Sequence, residues 1–213
     1  MRVDSEIVFA AVAAQRREIA DVMDGLDEKQ LATPSLCSGW DIKTVAAHVV
    51  SVFADSFWVF MTTAARHASM ARAIDVLARQ RASSSVTEIA DTLRRRADHP
   101  LSPPLFGPLD PLADILVHTG DIYIPLDLPF HPDPQHAALA LDFLSGPWPF
   151  GFVPAGRLRG LSLHATDAGR TWRTGAQIRG TARALMMCVA GRDVLADELD
   201  GPGLAVLRQR SGW

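Results

Sequence analysis

The stretch Pro111–Pro125, PLADILVHTGDIYIP, places three polar side chains in an otherwise apolar helix, and the rest of the sequence is interpreted from it. Asp114, His118 and Asp121 follow one another at intervals of four and three residues. Residues at that spacing lie on one face of a helix. Burial of such a face is costly unless a partner satisfies its polar groups. A divalent metal ion would be such a partner.

A second histidine, His48, lies 70 residues before His118 on another apolar segment. Helical spacing places it on one predicted face with Val45, Val52, Asp55 and Val59. A lone histidine on such a face is more often a core residue than a metal ligand. Two histidines and a carboxylate from two helices, however, fit a catalytic zinc site with three protein ligands and one open position, whereas a structural zinc site has four. Asp55 either orients a ligand or makes a structural contact.

Composition limits the classes of function. The chain has 213 residues, of which 48% are hydrophobic, enough for one large core or for one core and a small second domain. Its net charge of -3 and pI near 6.1 disfavour nucleic acid and anionic membranes as partners. The start MRVDSEIVFA lacks the cationic region of a signal peptide, which predicts a cytoplasmic protein with Cys37 and Cys188 as reduced thiols.

The segment Val45–Ala65 is about as long as a membrane-spanning helix. It contains His48 and Asp55, which a spanning helix would place in hydrocarbon at a cost of about 2.5–3.5 kcal/mol for the aspartate. The sequence therefore predicts a buried helix of a bundle.

Capping signals divide the first 150 residues into helices. Asp41 is placed to cap the helix that carries His48, Ser85 with Glu88 forms a capping box, and Asp110 and Asp133 each precede a proline. The predicted helices cover 4–26, 42–65 with a continuation over 66–81, 86 to before Pro100, the segment after Asp110, and 134 to about 146. These segments predict a bundle of four or five helices.

The pattern changes after residue 150. Leu161–His164 and the neighbourhood of Trp172 are typical of short strands divided by the turn DAGR. The segment 181–199 is predicted to be a helix and 203–210, GLAVLRQR, a closing strand. The predicted domains are therefore residues 1–150, the helical bundle, and 151–213, a small α+β domain.

Three segments together resemble one family. They are TPSLCSGWDIKTVAAHVV (33–50), DILVHTGDIYIPL (114–126) and TDAGRTWRTGAQIRGTARALMMCVAGR (166–192). In this order they are similar to the loop and metal-bearing helix, the second metal-bearing helix and the C-terminal domain of the mycothiol-dependent maleylpyruvate isomerase family, a branch of the DinB-like helical-bundle proteins. The resemblance extends over nearly the whole chain.

The resemblance implies an α+β, mainly α protein, with a DinB-like four-helix-type bundle holding one divalent metal ion, zinc by preference, and a small C-terminal α+β domain. It also implies mycothiol as the thiol cofactor. His48 corresponds to the family's first metal ligand, His118 to its last, and Asp114 to a glutamate. The aspartate is one methylene shorter than that glutamate.

Other residues receive roles from the same resemblance and from their chemistry. Asp121 either orients a ligand histidine or bonds to the backbone at the end of its helix. Trp40 is predicted to line the core or the cofactor-binding pocket. Arg192 is a candidate catalytic and cofactor-binding residue, because a guanidinium suits a carboxylate of mycothiol or substrate, although a surface salt bridge is the alternative.

The function that this resemblance implies is a metal- and mycothiol-dependent isomerase or thiol transferase acting on a small electrophilic substrate. Its partners are then two small molecules, and the protein is a monomer or homodimer. A metal-assisted hydrolase would use the same ligands with bound water. A protein that binds a small ligand without catalysis, with a vestigial metal site, is the third hypothesis.

Overall fold

Helices form most of the computed structural model, which describes residues 4–103, 106–147, 149 and 151–212, apart from the side chain of Phe57. One small three-stranded sheet is formed by residues 161–180. The predicted class, α+β and mainly α, is confirmed. The chain packs as two compact units, Met1–Leu101 with His118–Phe130, and Ser102–Val117 with His131–Trp213. The predicted domain boundary at residue 150 stays a prediction.

The first unit is a bundle of helices joined by short loops. Its elements are α1 (Ser5–Asp24), α2 (Glu28–Leu31), α3 (Ile42–Ala54), α4 (Phe57–His67), α5 (Met70–Ala82), α6 (Val86–Arg95) and the end of α7 (Leu109–Tyr123), with a 3-10 turn at Ile124–Leu126. Helix α3 packs against α5 and α6, α1 against α6, and α4 against α5. The core is formed by apolar side chains at helical spacing, as on α1, where Val8, Val12, Ile19 and Met23 are buried.

The helix starts that were predicted at Asp41, Ser85 and Asp133 are confirmed. The Asp41 carboxylate accepts a hydrogen bond from the backbone N–H of Thr44 at 2.8 Å, at the start of α3. Ser85 and Glu88 form the reciprocal capping box at the start of α6. These signals succeed because a cap satisfies backbone groups only two or three residues away, so no distant contact can change it.

The prediction of one helix over Val45–Ala65 is wrong, because the chain breaks between α3 and α4. Asp55 is extended and its carboxylate pairs with Arg81 of α5, while the Ser56 hydroxyl caps α4. Val52 and Val59, expected on the buried face of His48, are 39% and 46% exposed. Among the described residues no single helix could cross a membrane; Ile42–Ala54 and Trp58–His67 pass the length and composition test only as a pair bent by 119°.

A second break separates α4 from α5, where the sequence predicted a continuous helix over 66–81. Ala68 ends α4 in the left-handed conformation, with a φ of 49°. Ser69 then caps α5 through a hydrogen bond from the N–H of Arg72 at 3.2 Å. A serine that competes for backbone N–H groups favours a new helix start over continuation.

The second unit contains the sheet. Its elements are the start of α7, α8 (Pro134–Leu144), β1 (Leu161–Ala165), β2 (Arg170–Trp172), β3 (Ala176–Gly180), α9 (Ala182–Val189), a 3-10 helix (Asp193–Glu198) and α10 (Leu204–Ser211). The strand order is β2-β1-β3, with β1 antiparallel to β2 and parallel to β3. Helix α9 packs against α8 and against β1 and β3.

Two predictions for this unit need correction, and one strand was missed. The closing strand predicted over 203–210 is the helix α10, which begins where the N–H of Gly203 donates to the carbonyl of Gln177 and the chain turns away from β3. The helix predicted over 181–199 stops at Val189, since Gly191 has a φ of 91°. Strand β3 was not predicted, and it is fixed by its parallel pairing to β1.

Candidate metal centre

Helix α7 presents the three polar residues of the opening stretch, although it begins at Leu109 rather than after an Asp110 cap. His118 and Asp121 are 5% and 0% exposed. The division between the two units falls after Val117, inside this continuous helix, so Asp114 lies one turn before His118 on the same backbone. The buried apolar residues of this helix are Leu112, Ala113, Ile115, Leu116, Val117 and Ile122.

His48 meets His118 inside the first unit. The centroids of the two imidazole rings are 4.9 Å apart, and the ring planes stand at 80°. His48 is 6% exposed, in a helix whose neighbouring residues Ala47 and Val49 are also buried. The packing of α3 thus turns a buried imidazole toward a second one from a helix 70 residues away in the sequence.

The structure brings together the three predicted ligands, His48, Asp114 and His118. One ligand atom from each lies within 4.8 Å of the other two. Ligands at about 2.0–2.2 Å from a tetrahedral zinc ion lie within such a distance of one another. Two imidazole nitrogens and one carboxylate oxygen are also a donor set that divalent transition metals bind. The three residues therefore fit a divalent metal ion, and this donor set suits several metals.

Asp121 contacts one of these histidines. Its Oδ2 lies 2.8 Å from Nδ1 of His118, and both side chains are buried. A carboxylate at Nδ1 fixes the proton on that nitrogen and presents Nε2 as the nitrogen that would ligate a metal. The N–H of Leu36 donates to the backbone carbonyl of Asp121 at 3.4 Å. The geometry suits the orienting role predicted for Asp121, which stays a prediction.

Trp40 packs against both histidines. The centroid of its indole ring system lies 5.0 Å from that of His48 and 6.4 Å from that of His118. Its Nε1–H donates to Asp75 of α5 at 2.8 Å. Arg79 donates both to Asp75 and to the carbonyl of Gly39, each at 2.8 Å, and so ties the loop before α3 to α5. The sequence did not indicate Asp75 or Arg79, since no local pattern connects them to Trp40.

Hydrogen bonding from Trp40, aided by Arg79, holds the pKa of Asp75 below its usual value of 3.8 against the opposing effect of burial. Asp75 is therefore ionised at neutral pH. Because its pKa is depressed in the folded protein, this contact stabilises the fold above about pH 4 and is lost as the pH falls through the lowered pKa.

Removing the Asp75 carboxylate is expected to loosen Trp40 and weaken metal binding. We expect Asp75→Ala to lower metal affinity by about tenfold, the lower end of the effect of outer partners, and Asp75→Asn to restore part of it because an amide oxygen still accepts from Nε1. Chelator competition measures this. Asp91→Ala is the control, since Asp91 pairs with Arg95 at the same i,i+4 spacing but contacts no tryptophan in the described structure. Equal affinities for Asp75→Ala and wild type would contradict the assignment.

Asp55 and Asp110 lie outside the three-ligand cluster. Asp55 is at the end of α3 and pairs with Arg81, so the structural contact is the one observed. Asp110 is on α7 one turn before Asp114, and burial together with the charge of Asp114 raises the pKa of Asp110 to about 7. A second carboxyl group thus lies one helical turn from Asp114 but outside the three-residue cluster.

The remaining predicted residues lie elsewhere. Arg192 belongs to the second unit, where it precedes the 3-10 helix and its Nη1 donates to the carbonyl of Ala190 at 2.7 Å. Its catalytic and cofactor-binding roles stay predictions. Cys37 and Cys188 are thiols rather than disulfide partners, as expected. Burial raises the pKa of Cys188 to about 12, so this thiol is protonated and unreactive at neutral pH.

One protein family and two solved structures are similar to this chain. Residues 12–105 match the family described as the mycothiol maleylpyruvate isomerase N-terminal domain. Two solved structures are similar to the chain: the mycothiol-dependent maleylpyruvate isomerase, with a TM-score of 0.56, and a mutant of that enzyme in which a histidine is replaced by alanine, with a TM-score of 0.57.

Each of the two structures is 13% identical to this chain and aligns over 94% of it and 93% of its own length. No curated protein matches the sequence at a significant level. The resemblance stated from the sequence is confirmed: residues 12–105 match the mycothiol maleylpyruvate isomerase N-terminal domain family, and the chain has the fold of the mycothiol-dependent maleylpyruvate isomerase.

Proposed function

We propose that this protein is a mycothiol-dependent isomerase, similar to maleylpyruvate isomerase, that acts on a small electrophilic substrate. The observation that carries the proposal is the cluster of His48, Asp114 and His118, with ligand atoms within 4.8 Å of one another, in a chain with the fold of the mycothiol-dependent maleylpyruvate isomerase. We further propose that the cluster holds a divalent metal ion and that the ion is zinc. A thiol transferase is the related outcome if the thiol adduct is released.

The chemistry follows from the number and kind of ligands. When bound, a metal ion with one open coordination position lowers the pKa of a thiol, so that mycothiol is available as a thiolate nucleophile for an electrophilic carbon. Three protein ligands leave such a position, and two histidines with one carboxylate match known catalytic zinc sites. A structural zinc site would typically include cysteine ligands. The described cluster contains none.

The protein's own residues then have defined tasks. Asp121 holds His118 in one tautomer and one orientation through the 2.8 Å contact at Nδ1. Trp40 packs against the two imidazole rings, with centroid distances of 5.0 and 6.4 Å, and so limits their rotation. Asp114 has a shorter side chain than glutamate, so the α7 backbone itself must bring its carboxylate to the histidines.

The test is turnover of maleylpyruvate by metal-loaded protein with and without mycothiol. We expect isomerisation only when mycothiol is present, and a loss of at least about 100-fold in kcat/KM for His48→Ala, since one of three ligands is removed. His67→Ala is the matched control, because His67 is an exposed histidine at the end of α4. Its activity should equal that of wild type.

Other outcomes would redirect the assignment. Substrate consumption that needs metal but no thiol would establish the hydrolase instead. Accumulation of a thiol adduct would identify a transferase. Purified protein that binds no metal and turns over no substrate would overturn the enzymatic proposal.

A further inference from the structure

The second unit contains a cavity lined by the end of α8 and by the segment that leads to β1. Its volume is about 330 Å³, and it is partly open to solvent. Small-molecule sites typically have volumes of about 300–1,000 Å³, so this cavity lies at the lower end of that range. Its larger apolar lining residues are Leu144, Pro147, Pro149, Val153, Pro154 and Leu158. Two arginines, Arg159 and Arg173, also line it, and no residue of the metal cluster does.

Arg173 connects the sheet to this segment. It directly follows β2 and has a φ of 60°, which is uncommon for a residue other than glycine. Its Nη1 donates to the carbonyl of Ser145 at 2.9 Å, and its Nε donates to the carbonyl of Leu158 at 3.3 Å. These two contacts fix the guanidinium group at the wall of the cavity. Arg159 lies on the same wall and is exposed.

Carboxylates do not balance the charges of these two arginines within the described ranges. Arg170 of the same unit pairs with Asp142, whereas Arg159 and Arg173 form no ion pair there. A carbonyl group accepts a hydrogen bond but carries no net charge, so the contacts of Arg173 leave its positive charge in place. Residues 151–213 have nine arginines and no lysine against five acidic residues, in a chain with a net charge of -3. The cavity therefore lies in a positively charged part of the protein, which attracts anions.

Structural roles explain part of this arrangement. Arginine side chains commonly bind the last carbonyl groups of a helix, and Ser145 follows the last residue of α8, so capping accounts for one contact of Arg173. Solvation alone would account for an exposed Arg159. Neither role explains why two guanidinium groups without carboxylate partners line one cavity with apolar walls. An organic anion with an apolar body would contact both kinds of lining.

We propose that this cavity binds a small aromatic carboxylate, with Arg159 and Arg173 as the residues that contact the carboxylate group. Guanidinium groups bind carboxylates through paired, charge-assisted hydrogen bonds. The three prolines of the lining offer apolar ring faces to an aromatic body, and the volume suits a single ring. The inference goes beyond the proposed function, because it assigns a second small-molecule site that contains none of the metal-binding residues.

The test is calorimetric titration of the full-length protein with benzoate at constant ionic strength. We expect saturable binding at one site. Benzamide, which has the ring without the charge, and acetate, which has the charge without the ring, should each bind at least tenfold more weakly. Arg159→Gln should weaken benzoate binding at least fivefold. Arg179→Gln is the matched control, because Arg179 is an exposed arginine on β3 that does not line the cavity. Its benzoate affinity should stay within twofold of the wild-type value.

Equal benzoate affinities in wild type and Arg159→Gln would overturn the inference, as would an equal loss in Arg179→Gln, which would indicate a general charge effect. Benzamide that binds as tightly as benzoate would also overturn it. If Arg159→Gln does not fold, as judged by circular dichroism, Arg173→Gln decides by the same criterion.

The metal cluster is the remaining place where benzoate could bind. We expect His48→Ala to keep the wild-type benzoate affinity, because the cavity contains no ligand of the metal. Loss of benzoate binding in His48→Ala would place the carboxylate at the metal cluster and overturn the inference. Since the titration requires no turnover, its result is independent of the isomerase assay.

Discussion

Asp114→Ala and His118→Ala are each expected to lose the metal almost completely, whereas Asp121→Asn keeps most of it. The first two substitutions remove ligand atoms from the three-residue cluster. The third keeps an acceptor at the position of Oδ2, 2.8 Å from Nδ1 of His118. Loss of an orienting partner typically lowers metal affinity by about 10–100-fold, and loss of a ligand should exceed this range.

Metal retention under one chelator concentration measures all three variants together with wild type. Wild-type protein should contain about one equivalent of divalent metal per chain, and elemental analysis will also identify it. The outcome that would contradict the assignment is an exchange of behaviours, with Asp114→Ala retaining metal and Asp121→Asn losing it. Asp121, on the turn that follows His118, would then be the carboxylate ligand in place of Asp114.

Arg16→Met is expected to lower the free energy of unfolding by about 3 kcal/mol, the scale of breaking a buried charged network. Arg16 is 2% exposed. Its Nη1 donates to the carbonyls of Ala97 and His99, each at 2.9 Å, and its guanidinium carbon lies 4.2 Å from the centroid of the Phe53 ring. Methionine keeps the apolar stem but leaves those carbonyl groups without their donor.

Urea denaturation of Arg16→Met and of a variant that also loses one positive charge measures the effect. Arg17→Met is the control, since the neighbouring Arg17 pairs with Asp98 at the surface and such pairs contribute at most about 1 kcal/mol. Equal destabilisation by the two substitutions would show that the charge removed, and not the buried contacts, determines stability.

Features that depend on local chemistry were predictable from the sequence. The caps at Asp41, Ser85 and Asp133 and the shared face of Asp114 and His118 all follow from spacings of a few residues. The segment 45–65 was interpreted wrongly because its apolar pattern continues through the break. The helix ends there because Asp55 pairs with Arg81, 26 residues away, and because Ser56 caps a new helix.

Short apolar runs and long-range contacts were the other limits. GLAVLRQR fits a strand or a helix by composition, and the turn at Gly203 after β3 decides for the helix. The sequence suggested Trp40 for the pocket, but its bond to Asp75 depends on how α3 packs against α5. A parallel strand such as β3 depends on its partner β1 and carries little signal of its own.

One further contact concerns the segment that carries Arg157. Arg210 of α10 donates through Nη1 to the carbonyls of Gly156, Arg157 and Arg159, at 3.4, 3.0 and 2.6 Å. A segment rich in glycine and proline has many conformations when nothing anchors it. Arg210 restricts that freedom through one side-chain nitrogen that binds three backbone carbonyls. The C-terminal helix thus serves as a clasp for the connection between α8 and β1, and removal of the last helix should loosen a segment more than 50 residues earlier in the chain.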